Sequence, residues 1–442
     1  MAAKVITAID VGSSKIASVI AQISPEEEKI NVVGASSTPS RGVRKGQIVN
    51  IEEASQAIID CIEATERMAG YGVSRALVGI GGAHIASQNS KGVVAVAEPE
   101  GEINQSDIQR VIEAARAISL PSSREILHCL PRHYTVDSQE GIKDPIGMTG
   151  VRLEVETHII TGSSTSIRNT TKCVREIGAN IEAVFFNGIA ASEAVLTETE
   201  RELGVILVDI GGGTTDLVIY VEGSPAYATV LPVGAKNVTN DLAIGLRLSL
   251  ENADKLKLAL SKKLKKVARP VEKEPSSAKA SEGGEDGEKK KKDEISLTEI
   301  GIEDDRKSVS RKTLVEGIIK PRLNEIFNLV GTEIKKSGFA GLTPSGVVIT
   351  GGGGLTVGVT EACKRTLAMP VRIGKPTGLS GLIDDINTPP FSVVAGLILC
   401  GVQAGGYGVS KTSLPSIGKI TQKIPVKGVA VKTIDIIKSF LP

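Results

Sequence analysis

The chain contains no tryptophan, and six phenylalanines and five tyrosines are spread thinly over its 442 residues. Such a composition offers no stacking platform for single-stranded nucleic acid or sugars. Cysteine is scarce too. Cys61, Cys129, Cys173, Cys363 and Cys400 form no Cys-x-x-Cys pair, which reads as reduced core thiols of a cytoplasmic protein. No apolar run approaches the roughly 18 residues that would cross a bilayer. The N-terminal MAAKVITAIDVG reads as a strand rather than a secretory leader. Neither sign of charge dominates, with 52 Lys and Arg against 51 Asp and Glu, so no global field calls for nucleic acid. Apolar residues at 41% and charged residues at 23% are ordinary for a soluble globular protein, and the length allows two or more domains.

What the chain has in abundance is glycine at strand ends. Val205 to Tyr220 reads VILVDIGGGTTDLVIY, two β-prone runs around three glycines, with Asp209 before them and Asp216 after. Ala8 to Ile20, AIDVGSSKIASVI, repeats the plan around Asp10, and this suggests a duplicated core with two facing halves. A third run, GVVITGGGGLTVGV from Gly346 to Val359, takes a strand into Gly351, Gly352, Gly353 and Gly354 before a helix. Inward-pointing N–H groups of a tight turn form an anion nest, and a missing Cβ lets phosphate approach the main chain. Ser13, Ser14, Thr214 and Thr215 add hydroxyl donors. Two such hairpins face to face would grip a polyphosphate, with Asp10 and Asp209 holding a hydrated Mg²⁺ against it. No G-x-x-x-x-G-K-[ST] occurs, and no G-x-G-x-x-G opens a helix after a strand, so the P-loop and dinucleotide folds are excluded or disfavoured.

Apolar spacing predicts helices over 52–69, 107–118 with Ser106 as N-cap, 188–202, 237–260, 311–336 and 391–400. With the strands they indicate an α/β protein. Residues 262–294 hold almost no apolar side chains and read as a disordered charged insertion. His84, His128, His133 and His158 lack metal-ligand spacing, Pro131 interrupting LHCLPRHY. Residues 405–428 read as a flexible linker. In the closing VAVKTIDIIKSFL, Ile434, Ile437 and Leu441 share a helical stripe flanked by Phe440, and Lys432 and Lys438 lie toward the other side. A basic amphipathic helix of this kind lies in a bilayer interface and favours anionic lipids.

The order of hairpin, connecting helix, second hairpin and glycine run resembles the actin/Hsp70/sugar-kinase ATPase superfamily. Within it the chain resembles the FtsA family of bacterial cell-division proteins over nearly all its length outside 262–294. The resemblance is carried by GVRKGQIVNIEEASQAI from Gly42, ERMAGYGVSRALVGIGGAHIASQNSKGVV from Glu66 and REILHCLPRHYTVDSQEGIKDPIGMTGVRLEVETHIIT from Arg124. It implies an actin-like (ribonuclease H-like) duplicated core with an FtsA-type 1C subdomain. Subdomain 1A would occupy 1–83 and 163–203, 1C 84–162, 2A 204–233, and 2B 234–344. Residues 345–404 would complete 2A and return to 1A, followed by the linker and a targeting helix at 429–442.

The resemblance further implies ATP with Mg²⁺ between the halves. Asp10, Gly12, Ser13, Ser14 and Lys15 would face the phosphates from one side, and Gly211, Gly212, Gly213, Thr214 and Thr215 from the other. Asp209 would stand near the metal, Gly351 to Gly354 over the nucleoside, and Asp254 with Lys257 at the adenosine. Asp254 departs from the family's commoner Glu. Asn187, in FFNGIAASEAVL, stands where many actin-like ATPases place Gln or Glu, so weak hydrolysis at most is expected. The implied function is an ATP-binding division protein at the septum that polymerises and tethers the FtsZ ring to the inner face of the cytoplasmic membrane. Its partners would be the FtsZ C-terminal peptide on 2B, later division proteins, further copies of itself and anionic lipids. Two alternatives remain: a PilM-like pilus-assembly ATP-binding protein that binds an inner-membrane partner peptide, and a sugar-kinase-like or Hsp70-like enzyme.

Overall fold

Every residue of strands Val205–Ile210 and Thr215–Val221 is buried. Their two faces serve different cores. Val205, Leu207, Val218 and Tyr220 join one apolar cluster, whereas Ile206, Val208, Ile210, Leu217 and Ile219 join another. Successive strand residues point to opposite faces, so an apolar run without polar alternation builds a sheet covered on both sides. This computed structural model describes residues 4–24, 29–97, 101–267, 293–303, 306, 308–382 and 386–404.

Two sheets follow one plan. Lys4–Val11 pairs antiparallel with Lys15–Ser24, which pairs antiparallel with Lys29–Pro39. On its other side Lys4–Val11 runs parallel to Arg75–Ile80, and that strand parallel to Asn180–Phe186. The second sheet repeats this with Val205–Ile210, Thr215–Val221, Ser224–Leu231, Val347–Thr350 and Val371–Ile373 in the corresponding places. Ser380–Gly381 adds a short strand to the first sheet only. Helices Asn187–Val195 and Ser392–Ala404 cross between the halves. They approach so closely that a Cβ on Gly396 would overlap the carbonyl oxygen of Ala190.

A third core belongs to a four-stranded sheet, ordered Ala86–Ala95, Arg152–Ser163, Arg124–Val136, Gln139–Ile142. Helix Gln105–Arg116 lays Ile108, Val111, Ile112 and Ala115 on it, the i, i+3, i+4, i+7 spacing of an amphipathic helix. A Cβ on Gly92 would overlap the Val111 carbonyl, so the helix seats only over glycine there. The sheet is tied to the second half through Ser87, whose Oγ donates to Ala228 O at 2.7 Å and accepts from Ala228 N at 3.0 Å.

The histidines of this sheet have structural work. His128 Nε2 accepts from the Phe186 backbone N–H at 2.8 Å, and His158 Nδ1 meets Asn89 Oδ1 at 2.6 Å. Burial lowers the pKa of His128 to about 4, so the folded ring stays neutral while the unfolded one takes a proton below about pH 6.5. The stability this represents is present above the unfolded value and is lost as pH falls toward the folded one. We expect the melting temperature of His128→Gln to fall less than that of the wild type between pH 7.5 and pH 5. Equal falls would show that His128 carries no such linkage.

The elements differ from the sequence expectations in instructive places. The second helix is capped by Asn104, not Ser106: Asn104 Oδ1 accepts from the Ser106 and Asp107 N–H groups, and Asp107 completes a capping box. The expected 188–202 helix divides into Asn187–Val195 and Glu198–Leu203, the second starting at a Thr197–Glu200 capping box. The expected 237–260 helix divides at Arg247, which takes a left-handed conformation with φ of 52° between Ala235–Leu246 and Leu250–Val267. The start of the charged insertion is also corrected. The helix continues from Lys262 to Val267, and Glu294–Ser296 is a strand paired with Ser308–Ser310. The rest of the insertion, 268–292, lies outside the described residues, as do the linker from 405 and Lys432, Ile434, Ile437, Lys438, Phe440 and Leu441.

Candidate functional site

The matched strand plans bring the two glycine hairpins tip to tip. A Cβ on Gly212 would overlap Ser14 Oγ, and one on Gly213 would lie 2.9 Å from Ser13 Oγ. Only glycine lets these turns meet. Register places Asp10 opposite Ala17 and Gly79, and Asp209 opposite Asp216 and Thr350, so both acids stand at the ends of central strands. Beyond the parallel neighbours Arg75–Ile80 and Val347–Thr350 lie Gly81 and Gly82 in one half and Gly351–Gly354 in the other, equivalent turns of the duplicated plan.

Between the tips lies a cavity of about 310 Å³, within the range of small-molecule sites. Asp10, Gly12, Ser13, Ser14 and Lys15 line one side, and Asp209, Gly211, Gly212 and Thr214 the other. Gly351, Gly352, Gly353, Asp254 and Lys257 form the far wall. A Cβ on Gly352 would meet open space, whereas one on Gly353 would overlap Ile210. Gly213, Thr215 and Gly354 do not line the cavity. Thr215 is buried behind it, its hydroxyl donating to Val233 O at 2.8 Å and so fixing the hairpin's exit.

The wall is electrostatically unfinished. Asp10, Asp209 and Asp216 are all buried. Burial raises the pKa of each. The charge of Asp10 adds to the rise at Asp209, and both neighbours add to it at Asp216. Burial lowers that of Lys15, against the pull of Asp10 and Asp209. Among the described residues Lys15 Nζ has no hydrogen-bond partner, and it lies 4.1 Å from the Phe391 ring centroid. Asp216 Oδ1 and Asn187 Oδ1 are likewise buried without partners, although Asn187 Nδ2 donates to Asp10 Oδ1 at 3.2 Å. Native interiors pair their buried polar groups, so a donor and two acceptors left open around one cavity fit a ligand that is itself charged and polar.

Asp254 and Lys257 meet at 2.6 Å on one helical face, and both engage the Thr239 hydroxyl. Lys236 spans the cleft. From the first turn of Ala235–Leu246 its Nζ donates to Ser13 O at 2.6 Å, while the Ala235 and Lys236 N–H groups donate to Gly211 and Gly212 carbonyls at 2.9 and 2.8 Å. Sequence reasoning assigned no role to Lys236, Asp216 or the turn glycines Gly81 and Gly82. The duplicated plan carried a signal for the glycines, since the strand ending at Ile80 runs into Gly81 and Gly82 much as the one ending at Thr350 runs into four glycines.

Residues 206–396 match the family described as "Cell division protein FtsA", and residues 82–161 match "SHS2 domain inserted in FTSA". A cell division protein FtsA of Pseudomonas aeruginosa is 37% identical over 92% of this chain and 91% of its own. The chain belongs to the FtsA family. Its relative from Bacillus subtilis is 33% identical, over 88% of this chain and 82% of that one. Among solved structures, the "PilM-PilN type IV pilus biogenesis complex" superposes with a TM-score of 0.60 at 15% identity, covering 90% of this chain and 98% of that one. That likeness is one of fold. The fold is the actin-like ATPase fold, the role is in cell division, and fold and family together imply that the protein binds nucleotide.

Proposed function

We propose that this FtsA-family protein binds ATP with Mg²⁺ in the cavity between the two hairpins. In this reading it polymerises and attaches the FtsZ ring to the inner face of the cytoplasmic membrane at the septum. The observation that carries the nucleotide is the set of buried, unpartnered atoms on Lys15, Asp216 and Asn187 around one cavity. Lys15 and the turn N–H groups would hold phosphate oxygens. Asp10 and Asp209 would orient a metal that keeps much of its water, as Mg²⁺ does, and its charge would relieve the crowding of the three carboxylates. Gly351 to Gly354 would leave room for the nucleoside, with Asp254 and Lys257 at its edge. Asn187 has a short amide and cannot act as a base, so ATP would serve chiefly as a conformational ligand.

The FtsZ C-terminal peptide would dock on residues 234–344, the inserted sheet would meet filament neighbours or later division proteins, and residues 429–442 would enter anionic lipid. A single short helix binds weakly, and a polymer multiplies it. The test is co-sedimentation with phosphatidylglycerol-containing vesicles in ATP and Mg²⁺, comparing the full chain with one ending at Lys427. Pelleting of the full chain alone is expected. If neither chain pellets, or both do, the terminal segment is not the anchor.

A further inference from the structure

We propose that the groove between the inserted sheet and the central core is a docking site for this chain's own segment Leu414–Lys427. Two adjoining cavities of about 640 and 370 Å³ share Pro131, Tyr134, Arg201, Gly223 and Ser224 and so form one groove. Its inner part is apolar, with Ile108, Ile112, Leu130 and Ile189. Its rim is charged, but the cations there are already matched. Arg132 pairs with Glu156, Arg201 with Glu193 at 2.8 Å, and Lys143 with Glu202 at 2.7 Å. Among the described residues no ion pair engages the rim carboxylates Glu198 and Glu222. An occupant that suits this groove is therefore apolar and basic. It would also bring acceptors, because Arg132 Nε and Arg201 Nε are buried without partners among the described residues, and an extended backbone supplies carbonyl oxygens.

The chain itself leads there. Gln403, next to the last described residue, donates from Nε2 to Glu193 Oε2 at 3.4 Å, and Glu193 lines the groove. Leu414 follows Ala404 by ten residues, a span that reaches up to about 35 Å when extended. The segment reads LPSIGKITQKIPVK, in which Leu414, Ile417, Ile420, Ile424 and Val426 are interleaved with Lys419, Lys423 and Lys427 and no acid occurs. Tethering raises its effective concentration at the groove to the order of millimolar, so an intrinsically weak contact is enough to fill it. The docked segment shortens the free tether beyond Lys427. This inference does not depend on lipid binding by residues 429–442.

Amide hydrogen exchange on the full chain without lipid tests it. Amides from Ile417 to Val426 should exchange at least about tenfold more slowly than in a free peptide of the same sequence. Either Lys419→Glu/Lys423→Glu/Lys427→Glu or Glu198→Lys/Glu222→Lys should return them to the peptide's rate and also expose Gly223 and Ser224. Combining the two sets should restore protection. Wild-type exchange at the peptide's rate overturns the proposal, and so does protection indifferent to both charge reversals. Protection that grows with protein concentration also overturns it, since the occupant would then be a second copy.

Discussion

Gly396→Leu should lower the melting temperature by roughly 3 °C, corresponding to about 3 kcal/mol for a chain of this size. Gly396 lies in the middle of Ser392–Ala404, and the Ala190 carbonyl occupies the place where its Cβ would go. Val393, Val394, Ala395, Leu397 and Ile398 around it are buried, as are Ala190, Ala191 and Ala194 on the facing helix. A leucine cannot escape sideways in so closed a contact. It must push the two crossing helices apart and strip apolar contacts on both sides. Gly338→Leu is the control, because a Cβ there meets open space and only its left-handed φ of 80° is strained. Differential scanning calorimetry on both variants decides it. A Gly396→Leu transition within about 0.5 °C of the Gly338→Leu transition, on the scale set by a fraction of 1 kcal/mol, would show that the helix crossing yields.

Asp209→Asn should reduce affinity for Mg²⁺·ATP by about 100-fold or more, which is about 2.7 kcal/mol, and yet make the nucleotide-free protein more stable. Asp209 is buried beside Asp10 and Asp216, and its pKa is raised first by burial and then by the charge of Asp10. The sign follows from linkage. A carboxyl whose folded pKa exceeds its unfolded value of about 4 binds more proton in the native state, so its stabilising contribution declines as pH rises through that window. Asparagine escapes the decline, and the advantage of the variant should grow from pH 5 to pH 8. With Mg²⁺·ATP the order reverses, because the wild type gains ligand stabilisation and the variant gains almost none. Thermal shift measured with and without Mg²⁺·ATP at both pH values provides the check. A variant that is less stable without ligand at pH 8, or that responds to Mg²⁺·ATP as the wild type does, would remove Asp209 from the role given it.

Much of the site was legible because its chemistry is local. Asp10 to Lys15 and Asp209 to Thr215 each lie within one hairpin, and hairpin geometry follows from strand, glycine and strand in order. The glycine run at Gly351 was legible for the same reason. Lys236 and Asp216 were not. Lys236 matters through Ser13, which is 223 residues away in sequence, and Asp216 through a register that puts it opposite Asp209. Helix boundaries failed where local capping overrode apolar periodicity. Asn104 outcompeted Ser106 because Asp107 could answer it, and Arg247 broke a helix that periodicity alone would continue. The helix that runs on to Val267 shows the reverse case, a polar lysine-rich sequence that propagates from an apolar start at Ala253, Leu256 and Leu260.

The bridge from Lys236 to Ser13 has a kinetic side. It ties a side chain of one half to the main chain of the other at Ser13, one of the residues that line the cavity. Where release of a nucleotide requires the two halves to part, this strut must break first, so it would govern dwell time more than affinity. If ATP is bound and turned over slowly, as proposed above, such a bolt would act as a clock, separating the moment of loading from the moment of release.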